Sequence, residues 1–83
     1  MTIQYQGMNA TTNRHHIYVG DNEYTFDVDA TNSGIKAIRD ASGKSIARTY
    51  KGFRGKLGII GGSAAANALT TQLREAYKIA RKA

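Results

Sequence analysis

Between Lys44 and Lys56 the chain carries five cations, Lys44, Arg48, Lys51, Arg54 and Lys56, with no acid among them and two aromatic residues, Tyr50 and Phe53, interleaved. Ammonium and guanidinium groups neutralise phosphates while aromatic faces stack on unpaired bases, so this mixture is what a single-strand or flipped-base binder needs. Gly52 and Gly55 fall in the same stretch, where a missing side chain lets the backbone come close to a phosphate. A second group, Arg74, Lys78 and Arg81, stands at i, i+4 and i+7. On a helix that spacing makes one ridge, able to follow a phosphate backbone or enter a major groove. Both groups also have a structural reading: Tyr50 and Phe53 can complete a core under solvated cations, and cations near a helix C-terminus suit its dipole.

Other chemistries find less in the sequence. His15 and His16 are adjacent, so in a strand they point to opposite faces and cannot ligate one metal together. Asp27 and Asp29 open a stretch that resembles a calcium loop, but its sixth position is Asn32 where glycine is needed and its twelfth is Ile38 where a bidentate glutamate is needed. Gly58 to Ser63 runs into a helix start, yet it lacks the phosphate-loop lysine and the dinucleotide-binding glycine spacing. With no cysteine there is no thiol nucleophile, disulfide or thiolate zinc site, and each of Ser33, Ser42, Ser45 and Ser63 lies in a turn or cap context. The expectation is therefore a protein that is not an enzyme and takes no metal or other cofactor.

Charge is distributed unevenly along the 83 residues, whose net charge is +6. Residues 1–40 carry three cations and five acids, while residues 41–83 carry nine cations against Glu75 alone, giving −2 and +8. Half of the chain is a polycation, which points to an anionic partner, nucleic acid first and an acidic protein surface second. The first residues have neither a basic start nor an apolar run, and the uncharged stretch from Leu57 to Leu73 is interrupted by glycines and polar side chains. Neither a leader nor a membrane span is expected, and the cytoplasm is the expected location.

The elements that must position these residues follow from periodicity. Residues 2–8, 15–19 and 24–28 alternate apolar and polar, and Gly20-Asp21-Asn22 is a hairpin turn signal between the last two. Residues 35–39 and 45–50 flank the turn Asp40-Ala41-Ser42-Gly43-Lys44 as a second hairpin. Glycines at 52, 55, 58, 61 and 62 suggest a flexible loop over 51–62. From Ser63, a capping residue, the apolar positions Ala66, Leu69, Leu73, Ala76, Tyr77 and Ala80 recur at helical spacing through residue 82.

These elements predict one α+β domain over residues 1–83, with a β-rich part at 1–50, a Gly-rich loop at 51–62 and a helix at 63–82. An antiparallel sheet of three to five short strands in two hairpins would have one face covered by the amphipathic helix. Size scaling puts its accessible surface at roughly 4,900 Å². The order of hairpins then helix is similar to that of small sheet-plus-helix DNA-binding modules such as the arm-binding domain of phage integrases, none of whose motifs is present. The function expected is nucleic-acid binding through Lys44, Arg48, Tyr50, Lys51, Phe53, Arg54, Lys56, Arg74, Lys78 and Arg81. The alternative is an accessory or inhibitor protein, of the phage or mobile-element type, that grips an acidic or nucleic-acid-binding surface of a larger machine. A third reading is a homodimer formed through an exposed edge strand at residues 2–8.

Overall fold

In the computed structural model, which describes residues 2–29 and 34–82, five strands follow one another: β1 (Ile3–Asn9), β2 (Arg14–Val19), β3 (Asn22–Asp29), β4 (Gly34–Asp40) and β5 (Ser45–Ala47). They form a single antiparallel meander in the order β1-β2-β3-β4-β5. Val19 pairs with Asn22, leaving Gly20 and Asp21 as the two-residue turn expected there. The second hairpin turns at Asp40, whose Oδ1 accepts from Ser42 N–H at 2.9 Å, Ser42 Oγ at 2.6 Å and Lys44 N–H at 3.1 Å. These bonds, that from Ser42 Oγ first, hold the Asp40 carboxyl below its ordinary pKa. The polar stretch Asp29-Ala30-Thr31-Asn32-Ser33-Gly34, which the sequence marks as a loop, falls mostly outside the described residues.

One face of the sheet is apolar, contributing Ile3, Ile17, Val19, Phe26, Ile35 and Ile38 to the core. Two irregularities keep it so. The register shifts between Tyr5 and Gly7, which sets Met8 opposite His15. On β4, Ala37 takes a left-handed φ of 52°, so Ile35 and Ile38, three residues apart, both reach the core.

Two helices, α1 (Tyr50–Lys56) and α2 (Ala64–Lys82), cover this face. α2 begins where Ser63 Oγ accepts from Ala66 N–H at 3.2 Å, and it buries Ala66, Leu69, Leu73 and Ala76 chiefly against β1. α1, which packs on β4 and β5, corrects two expectations, because the strand ends at Ala47 and residues 51–56 are helical instead of loop. Two glycines in seven residues weaken such a helix by roughly 0.5 to 1 kcal/mol each relative to alanine, so its ends and its anchor must hold it. Thr49 is the N-cap, its hydroxyl accepting from Gly52 N–H at 3.1 Å. At the other end Gly58, with φ 72°, donates to the Gly55 carbonyl at 3.1 Å while Ile59 donates to the Arg54 carbonyl at 3.1 Å. Phe53 is the anchor: it is fully buried and meets the Tyr24 ring edge-on, with centroids 5.2 Å apart.

The opposite face of the sheet stays open and polar, and the accessible surface of 5205 Å² slightly exceeds the size-scaling expectation. Arg14, its side chain only 16% exposed, ties this face together. Its guanidinium donates to Thr25 Oγ1 at 3.1 and 3.2 Å and to the Ala37 carbonyl at 2.6 Å, and it pairs with Asp27 at 3.3 Å.

His15 lies on the covered face, buried, with its ring stacked on Phe26 at 5.4 Å and its Nδ1 2.7 Å from the Tyr5 hydroxyl. Burial, outweighing the nearby Asp27 carboxylate and reinforced by His16, lowers its pKa below 6.5. A group kept neutral by folding stabilises the fold fully above its unfolded pKa, and that contribution falls away as pH drops from 6.5 toward the lower folded value. Denaturant titrations on either side of that window should show the native protein losing stability on acidification and His15→Gln losing less; equal losses would contradict the assignment. A second prediction concerns Gly55, where an added Cβ meets nothing within 4 Å. Gly55→Ala should raise unfolding free energy by about 0.5 kcal/mol, and a lowered melting temperature would mean α1 is not helical there.

Candidate nucleic-acid interface

The helical layer is built almost wholly from the basic half of the chain. Lys51 and Lys56 on α1 and Arg74, Lys78 and Arg81 on α2 are exposed, and Arg54 is half-buried. Phe53, expected among the stacking residues, belongs to the core and leaves that role to tyrosines. Lys44 sits on the β4–β5 turn and Arg48 just after β5, both exposed.

α1 and α2 meet at a seam. The Tyr50 hydroxyl and Thr70 Oγ1 lie 3.1 Å apart. Tyr77 lines a groove together with Thr70, and burial, then the proximity of Tyr50, raises its phenol above its ordinary pKa. Arg54 lies with its guanidinium carbon 5.6 Å from the centre of the Tyr50 ring, and a Cβ at Gly61 would stand 3.2 Å from that carbon and both terminal nitrogens. A side chain at Gly61 would therefore press on the guanidinium, which would have to shift by a few tenths of an ångström from its place near the Tyr50 ring.

The seam brings Tyr50 of the first group beside Thr70 of α2, and Arg54 beside Gly61 in the loop before it. Tyr50 and Arg54 come from α1, and Thr70, Arg74, Tyr77, Lys78 and Arg81 form one flank of α2 and line a groove of about 370 Å³. Lys78 shares a surface ion pair with Glu75 at 3.3 Å, too exposed to hold it firmly. No hydrogen bond or ion pair among the described residues ties the side chains of Lys44, Arg48 or Lys56 to this cluster. Thr70, Tyr77 and Gly61 are the members that sequence reasoning missed. Tyr77 was readable only as part of the apolar stripe, and nothing local marks Gly61 as a neighbour of Arg54.

The open face holds a different group. His16 Nδ1 is 3.6 Å from Glu23 Oε2, and the Tyr18 hydroxyl donates to the same carboxylate, which raises the phenol above its ordinary pKa. A phenol made a poorer acid is badly placed for acid–base work near neutral pH. His15 and His16 do point to opposite faces, and no group of three metal-ligating side chains occurs among the described residues. No helix is long and apolar enough to cross a membrane among the described residues. The edge of β1, where a second copy would pair, is interrupted by the register shift, and Gln72 Oε1 accepts from Tyr5 N–H at 2.9 Å.

The seam makes a measurable energetic claim. A double-mutant cycle of Tyr50→Phe and Thr70→Val, followed by urea unfolding, should give a coupling of about 1 kcal/mol. A coupling near zero would mean that α1 and α2 are not held side by side by this bond.

No protein-family model, curated protein or solved structure matches this chain.

Proposed function

We propose that the protein is a small, non-enzymatic nucleic-acid-binding domain of the cytoplasm, which lays its helical layer against a phosphate backbone. The supporting observation is the segregation of charge by layer. α1 and α2 carry seven cations and the single acid Glu75, while the acids of residues 1–40 lie on the sheet strands and their turns. A phosphate chain is drawn to the first surface and repelled by the carboxylates of the second. Lys51, Arg54, Arg74, Lys78 and Arg81 are the contacting cations, with Lys44, Arg48 and Lys56 adding attraction at longer range.

One observation favours a second reading, an accessory protein that grips an acidic protein surface. Ile60, in the loop between the helices, is 78% exposed, and a bare aliphatic suits a protein interface better than a phosphate chain. Such a protein would ignore free oligonucleotides and co-purify with one partner at fixed stoichiometry.

Fluorescence anisotropy with labelled oligonucleotides separates the two. Five phosphate contacts predict that affinity falls on the order of a hundredfold between about 50 and 200 mM salt, because each contact releases condensed counterions. Reversing Lys51, Arg74 and Lys78 to Glu should abolish binding while the melting temperature stays near that of the native protein. Affinity indifferent to salt, or to these reversals, would sink the proposal.

A further inference from the structure

Resting on the nucleic-acid reading above, the groove on α2 specifies which form of nucleic acid is bound. We infer that it takes an unpaired base of a single strand, with Tyr77 as the stacking platform and Arg74, Lys78 and Arg81 on the adjoining phosphates. Three features of the groove carry this.

The first is charge. Among the surface grooves of the molecule, one contains Glu23, another Glu23 with Asp40, and a third Asp27 beside Lys36. The groove on α2 has three cations and no acid in its wall, so a phosphate chain is complementary to it and not to the others.

The second is the nature of the wall. The wall is mostly apolar: Tyr77, which also packs on the core, lines it with the flanking cations, and Thr70 adds one hydroxyl that is already turned to Tyr50. A duplex presents phosphates and stacked, hidden base faces, and it would desolvate this apolar wall without filling it. An unpaired base has a free face for the tyrosine and an edge for solvent.

The third is spacing. At roughly 1.5 Å of rise per residue, Arg74, Lys78 and Arg81 are spread along about 10 Å of helix with Tyr77 between them. A base seated on Tyr77 therefore has a cation on either side along its own backbone. The neighbouring Tyr50 face is covered by the Arg54 guanidinium, leaving Tyr77 as the platform in the groove.

The test compares labelled single-stranded DNA, single-stranded RNA and the DNA duplex of the same sequence, with native protein, Tyr77→Leu and Tyr77→Phe. Native protein should bind the single strands about tenfold or more tighter than the duplex. Tyr77→Leu should lose most of that preference with its salt dependence unchanged, and Tyr77→Phe should keep it, because the ring and not the hydroxyl or the charge is used. A duplex bound as tightly as the single strands, or a single-strand affinity unmoved by Tyr77→Leu, would overturn the inference while leaving nucleic-acid binding intact. Absence of binding to all three probes at low salt would overturn the parent reading as well. Ultraviolet cross-linking of the native protein to a bromouracil-containing strand gives an answer independent of any variant's folding. The adduct should fall on Tyr77, and an adduct confined to Tyr18, 38% exposed on the open face, would contradict the assignment.

Discussion

A five-stranded sheet of this chain gathers its core-forming apolar side chains on only one of its faces, and the rest of the molecule follows from that constraint. Ile3, Ile17, Val19, Phe26, Ile35 and Ile38 must be covered, while the other face is occupied by Arg14, His16, Glu23 and their polar partners. Both helices therefore lie on the same side, α2 over β1 and α1 over β4 and β5. Since the helices come from the basic half of the sequence, burial of apolar surface also sorts charge, and a difference along the chain becomes a difference between layers. The polarity of the molecule is thus a by-product of core formation.

Within the helical layer, placement is settled by a few contacts of modest strength. The bond between Tyr50 and Thr70, the guanidinium of Arg54 lying between Tyr50 and Gly61, and the buried ring of Phe53 fix α1 against its neighbours. None is worth more than a few kcal/mol, but a helix of seven residues has no stability of its own and depends on them. The bond from Tyr50 reaches Thr70, which lines the α2 groove with Tyr77 and the cation ridge, so the seam that stabilises the layer borders the candidate interface.

The hairpins and α2 were legible in the sequence because each repeats a period over enough residues: Ile17 and Val19 alternate before Gly20-Asp21, and Ala66, Leu69, Leu73 and Ala76 recur at three and four. α1 was not legible. Its glycines mask any period, and Thr49 and Gly58 are recognisable as caps only once a helix is supposed between them. The bulge at Ala37 was hidden for a similar reason, since alanine carries no signal for a left-handed backbone and it is the Arg14 bond to its carbonyl that shows how the turn is held. Of the candidate site, the cations were readable by type and spacing, but their union was not. It depends on a contact between residues twenty apart, and Phe53 went to the core because packing, not composition, decides which aromatic is left at the surface.

The most direct measurement of whether the helical layer is the binding surface is a map of backbone amide chemical shifts in isotope-labelled protein titrated with a single-stranded oligonucleotide. Perturbations should cluster at residues 49–54 and 70–81, on either side of the seam, with the amides of Arg14, His16, Tyr18 and Glu23 unmoved. Perturbations centred on the open sheet face, with the helices silent, would contradict the account.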